Sequence, residues 1–138
     1  MNKLVFPKGF LWGASTSAHQ VEGGNHNDWS EWEKKNAGWL AVKAERRSWP
    51  DHILKNYPNP LQEENYISGK ACDHYNRYEK DFGIAKSLGH NAHRFSIEWS
   101  RIEPEEGKFN EEEILHYREV LKTLRTKGME PFVTLWHW

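Results

Sequence analysis

Four side chains with charge or acid–base capacity, His93, Arg94, Glu98 and Arg101, stand in a stretch that otherwise has the pattern of a buried strand. Ala92, Phe95 and Ile97 are its apolar positions, and Gly89 and Pro104 punctuate it on either side. Arginine is rarely buried without a partner, so Arg94 in mid-strand requires either a structural ion pair or an anionic site beside it. The carboxylates of suitable type for acid–base or nucleophilic work are Glu22, Glu98 and Glu103. Glu98 is expected to pair with an arginine such as Arg101, Glu22 follows a strand end, and none of the three is assigned as acid or nucleophile. The eight histidines show no HExxH or comparable ligand spacing, so neither a metal site nor a cofactor is expected. Cys72 has no thiol partner and reads as structural.

The elements that must position these groups follow from periodicity. Pro7 and Gly9 make a turn ahead of a short buried strand over residues 11–15, and the small residues after it permit close backbone approach. Residues 29–33 predict one short helical turn with Ser30 as its cap. From 36 to 69 the pattern dissolves. Pro50, Pro58 and Pro60 exclude a long helix, so a long variable loop is expected, tacked down by Trp39, Trp49, Ile53, Leu54 and Tyr57. Tyr75, Tyr78, Phe82, Ala85 and Leu88 then recur at helical spacing, with Asp73 as cap and Gly89 as stop. After the strand at 92–97, Asn110 caps a second helix that opens Glu111-Glu112-Glu113 and carries Ile114, Tyr117, Leu121 and Leu124 on one stripe. Residues 131–136 form a continuous apolar strand followed by His137-Trp138. Apolar strands alternating with amphipathic helices predict an α/β fold with a parallel sheet built by βαβ crossovers, in one domain over 1–138. Gln20, Glu98, Trp99, His137 and Trp138 then fall at or just past strand C-terminal ends, where such sheets and barrels hold ligands.

Composition narrows the partner. A net charge of −1 leaves no basic excess for nucleic acid or an anionic membrane, and no segment approaches transmembrane length. A lone cysteine and an N-terminus without an apolar run point to a cytoplasmic setting. Eight tryptophans in a chain of mean hydropathy −0.93 exceed what core filling asks for, and aromatic faces suit the apolar C–H faces of sugar rings. GxGxxG and GxxxxGK[ST] are both absent, which removes the main support for a nucleotide.

Phe6-Pro7, Phe10-Leu11-Trp12-Gly13 and Thr16-Ser17-Ala18-His19-Gln20-Val21-Glu22-Gly23 together resemble the N-terminal signature of glycoside hydrolase family 1, the β-glucosidase and β-galactosidase family. The resemblance continues through Ala71-Cys72-Asp73-His74-Tyr75-Asn76-Arg77-Tyr78, the stretch 91–104 with Gly107 and Asn110, and 128–138, so that about half the chain is covered in the family's order. It implies the first three β/α units or so of a (β/α)8 TIM barrel that hydrolyses terminal β-linked sugars with retention. It also implies that Gln20, His137 and Trp138 bind the terminal sugar's hydroxyls and that Arg94 lies beside the nucleophile, keeping that carboxylate ionised.

Two departures stand out. The family usually carries an aromatic residue where His19 and His93 stand. A retaining glycosidase needs an acid/base and a nucleophile, and the Thr-x-Asn-Glu-Pro motif that supplies the first does not occur in these 138 residues. A complete barrel takes about 250 residues. The chain is therefore expected to carry glycone-binding residues for a β-glycoside or oligosaccharide without either catalytic glutamate, and to be inactive alone. The alternatives are a non-catalytic sugar-binding module, or one half of a split barrel completed by a second chain.

Overall fold

The computed structural model describes residues 4–56 and 60–137. Its sheet has three parallel strands in the order β1 (Gly13–Ser15), β2 (Ala92–Ser96) and β3 (Glu130–Thr134). Between β1 and β2 come helices α1 (Ala18–Val21), α2 (Asp28–Glu45) and α3 (Asp51–Asn56), a 3-10 turn at Glu63–Tyr66, and helix α4 (His74–Ser87). The one-turn helix α5 (Trp99–Ile102) and helix α6 (Glu111–Thr126) join β2 to β3. Gly13 sits opposite Ala92, and Ala92 opposite Glu130. Gly13 is required there, because a Cβ at that position would come within 2.3 Å of the Ala92 carbonyl oxygen.

The core lies between the sheet and helices α4 and α6. Phe82, Leu124 and Met129 are fully buried, with Phe95, Ile102, Tyr117 and Val120 around them. Side chains alternate across a strand, so His93 and Phe95 face this helical layer while Arg94 points to the opposite face. That opposite face is open. The strand at 11–15, expected to be buried, is instead largely exposed, and so is the apolar strand at 131–136, because β1 and β3 are the edges of the sheet. Phe132, Leu135 and Trp136 stand in solvent, and Trp12 clusters with Phe6 and Phe10.

The segment expected to be a long loop carries the largest correction. Residues 28–45 form one helix, with Asn27 rather than Ser30 as its cap. The Asn27 side chain accepts from the Ser30 N–H at 2.8 Å, and the Ser30 hydroxyl accepts from the Asn27 N–H at 3.0 Å. The prolines do not oppose this helix, since the first of them, Pro50, lies beyond its end. Ala37, Ala41 and Ala44 make a small-residue face that is buried, and Gly38 abuts the Glu63 carboxylate of the 3-10 turn. Of the residues expected to tack the segment down, Trp49 does so through an Nε1 bond to the Ala44 carbonyl, Trp39 and Leu54 are exposed, and Tyr57 lies outside the described residues. Elsewhere the helix boundaries hold. Asp73 precedes α4 but contributes no side-chain cap, being left-handed at φ 56°, and Leu88 is exposed at the helix end instead of on its inward stripe. No described helix is long and apolar enough to cross a membrane.

Candidate functional site

The strand ends are laced together by polar bonds. Past β1, the Thr16 N–H donates to the Arg94 carbonyl at 3.0 Å, and the Ala18 N–H donates to Ser96 Oγ at 2.8 Å. These bonds seat α1, which carries Gln20, against the end of β2. The Gln20 side chain is exposed and makes no hydrogen bond among the described residues, leaving its amide available as both donor and acceptor. Arg94 donates from Nε to Thr134 Oγ1 (2.8 Å) and from Nη1 to Ser15 Oγ (3.3 Å) and the Thr16 carbonyl (3.2 Å). All three partners are neutral. Among the described residues Arg94 makes no ion pair, so the structural-salt-bridge reading of this half-buried arginine has no support.

His137 lies half-buried just beyond β3, in a cleft of about 370 Å³ at the strand C-terminal ends. Trp29, Trp99 and Trp136 line the cleft together with Asn27, Glu98 and Glu103, whereas Gln20 and Arg94 stand outside its lining. Trp138 lies outside the described residues.

The three candidate carboxylates are all held in bonds within the fold. Glu98 is buried. It accepts from Asn27 Nδ2 at 3.0 Å and Ser100 Oγ at 2.8 Å, and its N–H donates to the Tyr117 hydroxyl at 3.0 Å. The expected Glu98–Arg101 pair does not form, because the single turn of α5 sends Arg101 toward the loop after α1. There its Nη2 donates to the Gly23 carbonyl (2.7 Å) and Asn25 Oδ1 (2.9 Å), and its Nε lies 3.3 Å from Glu22 Oε2, within ion-pair range but without hydrogen-bond alignment. Its guanidinium also sits 4.3 Å over the Tyr75 ring. Glu22 is buried and accepts from the Tyr117 hydroxyl at 2.9 and 3.0 Å. Burial pushes its carboxyl up to about 7, outweighing the Tyr117 hydrogen bond and Arg101, which favour the anion. Glu103 accepts from Trp99 Nε1 at 2.8 Å and the Gly107 N–H at 2.7 Å.

Sequence reasoning did not single out Asn27, Glu33 or Ser68, which together with His19 organise this region. Asn27 Nδ2 lies 3.3 Å from His19 Nδ1 as well as 3.0 Å from Glu98, so the helix cap also joins α1 to the end of β2. His19 Nδ1 must accept there, which places the ring proton on Nε2, 2.9 Å from Glu33 Oε1. Glu33 also accepts from the Ser68 N–H and hydroxyl, both at 2.8 Å. Burial alone would raise the Glu33 pKa, but the bonds from Ser68 and His19 hold it below the usual value. The Asn27-x-x-Ser30 spacing was the one available signal, and it pointed at a helix start, not at a hub.

Comparison with known proteins gives this arrangement its family. The model of Glycosyl hydrolase family 1 matches residues 2–138. The chain belongs to this family. Beta-glucosidase A of Thermotoga maritima is 38% identical over 139 residues, covering 100% of the chain and 27% of its own length. Beta-glucosidase A of Acetivibrio thermocellus is 36% identical at the same coverage. Among solved structures, a beta-glycosidase from Pyrococcus horikoshii superposes with a TM-score of 0.68 at 43% identity, covering 94% of the chain and 25% of that protein. The Thermotoga maritima beta-glucosidase, solved in complex with castanospermine, gives 0.68 at 35% identity, with 96% and 27% covered. The chain thus spans about a quarter of the length of these family 1 relatives. Its parallel sheet and flanking helices are the N-terminal part of their (β/α)8 TIM barrel.

Proposed function

We propose that these 138 residues form one partial domain of a retaining β-glycosidase and contribute its glycone-binding corner, with no catalytic carboxylate among them. Gln20 and the His137-Trp138 pair bind the hydroxyls of a terminal β-linked sugar, and Arg94 stands beside the nucleophile that the later strands of a barrel supply. The observation that carries this reading is the state of Arg94. Among the described residues its guanidinium is bound by neutral oxygens alone, on the open face of the sheet, so a carboxylate delivered there gains an unopposed cation and stays ionised, as a glycosidase nucleophile must. The bonds that hold Glu22, Glu98 and Glu103 within the fold speak against any of them taking the catalytic role. The bare edges of β1 and β3, with Phe132, Leu135 and Trp136 exposed, favour further strands over an independent sugar-binding module, whether those strands come from the same polypeptide or a second chain.

The test has two parts. Intact mass under denaturing conditions distinguishes a 16.4 kDa species alone from one accompanied by a second polypeptide. The 16.4 kDa species is then assayed on an aryl β-glucoside, where no hydrolysis is expected. Turnover by this species that disappears in Gln20→Ala would refute the absence of catalytic carboxylates.

A further inference from the structure

The net charge of −1 averages over an uneven distribution. Residues 34–47 hold five basic side chains against the single acid Glu45, so the basic excess that the whole chain lacks is present locally. Helix α2 and its C-cap Arg46 carry most of it. The helix is seated through one face, where Ala37, Ala41 and Ala44 are buried. With about 3.6 residues per turn, its opposite face is the series Trp32, Lys35, Trp39, Val42, Lys43 and Arg46. Trp32, Trp39 and Val42 are 44%, 57% and 51% exposed, and the three cations are exposed as well. From Trp32 onward no acid interrupts this stripe. Lys34, on the flank of the helix, pairs with Glu31, whereas Lys35, Lys43 and Arg46 make no ion pair among the described residues. Lys43 Nζ instead lies 4.7 Å from the centre of the Trp39 ring, so its charge stays available to an anion from outside.

The stripe runs for about 20 Å along the helix. The outer face of a single helix is convex and encloses nothing, so it suits an extended surface rather than a small anion. The matching surface is anionic and, just beneath its charges, apolar. The headgroup layer of an anionic bilayer is built this way: its phosphates meet lysine and arginine, and indoles settle at the boundary with the acyl chains. An acidic polypeptide satisfies the cations but gives Trp32 and Trp39 no apolar layer to enter. We propose that α2 is a peripheral docking helix whose stripe from Trp32 to Arg46 lies on an anionic lipid surface. The docking is independent of the reading of Gln20 and His137 as sugar ligands.

The experiment is co-sedimentation of the chain with two kinds of vesicle, phosphatidylcholine alone and phosphatidylcholine containing about one-third phosphatidylserine. Binding is expected to the anionic vesicles and to weaken as added salt screens it. Lys35→Ala and Arg46→Ala each lower the partition coefficient about fivefold. Trp39→Ala lowers it by about the same factor, and Trp39→Phe keeps most of the binding, which separates a lost ring from a folding defect. Lys122→Ala, at an exposed cation of α6, leaves it unchanged. No binding to the anionic vesicles, or equal binding to the neutral ones, overturns the proposal. So does a loss in Lys122→Ala equal to that in Lys35→Ala, which would make the attraction one of general charge. A loss in Trp136→Ala larger than that in Trp39→Ala also overturns it and assigns the attachment to the open sheet edge. Retention on immobilised polyglutamate as tight as on the vesicles, and untouched by Trp39→Ala, overturns it in favour of an acidic polypeptide.

Discussion

Tyr117 does more than fill the core. Its hydroxyl takes the Glu98 N–H and donates to Glu22, joining the end of β2 to the end of α1 from a position on α6. Burial raises its pKa, so the phenol remains a protonated donor throughout the working range. The raised carboxyl of Glu22 has a consequence for stability. Its pKa moves from 4.5 to about 7 on folding, so the folded state holds the proton more tightly. The resulting stabilisation is complete below pH 4.5 and is lost as the pH rises through about 7. Glu22→Gln is expected to flatten the fall in melting temperature between pH 5 and pH 8, removing a difference of up to about 3 kcal/mol. His93 acts in the opposite direction. Burial first, then His74 and His90, bring it from 6.5 to about 4, so its neutral form supports the fold above pH 6.5 and that support is lost as the pH falls through 4. His93→Phe is expected to move the acid-unfolding midpoint to lower pH, read by near-UV circular dichroism.

Helix α2 shows what a single cap holds. Asn27→Ala removes the bond to the Ser30 N–H along with those toward His19 and Glu98, and is expected to cost about 1–3 kcal/mol in denaturant unfolding. Asn27→Asp keeps a capping oxygen but brings a carboxylate to the position 3.0 Å from Glu98, so like-charge repulsion should leave it less stable than the unsubstituted chain in the same denaturant unfolding, despite the retained cap. The turn after α1 is equally constrained. Gly23 has φ +83°, and a Cβ there would come within 2.1 Å of the Lys70 carbonyl oxygen, so Gly23→Ala should lose about 2 kcal/mol or more. Element type was legible where periodicity was strong, as in α4, α6 and β2. It was misread at 28–45 because the buried face there is alanine, which leaves no hydrophobic stripe to detect. The site was legible in part. Residue types marked Arg94 as needing an anion, but Arg101 could be assigned to Glu22 rather than Glu98 only once α5 had fixed its direction.

Across the whole molecule, order should be greatest at β2, paired on both sides, and least at the two edges. Native-state hydrogen exchange is expected to show the amides of Arg94 and Phe95 among the slowest, with the outward-facing amides of β1 and β3 exchanging far faster. Uniform protection across the three strands would mean that the edges are covered in solution by another chain or another copy.

The register of the sheet also sets an order of assembly. The bond from the Trp12 N–H to Asn91 Oδ1 spans 79 residues, whereas β2 meets β3 across little more than one helix and its connections. Loop-closure entropy penalises the first pairing more than the second, so β2, α6 and β3 can condense as a βαβ nucleus around Phe95 and Leu124 while β1 is still unpaired. Strand β1, and with it the segment bearing Gln20, would then be the last piece to lock into place.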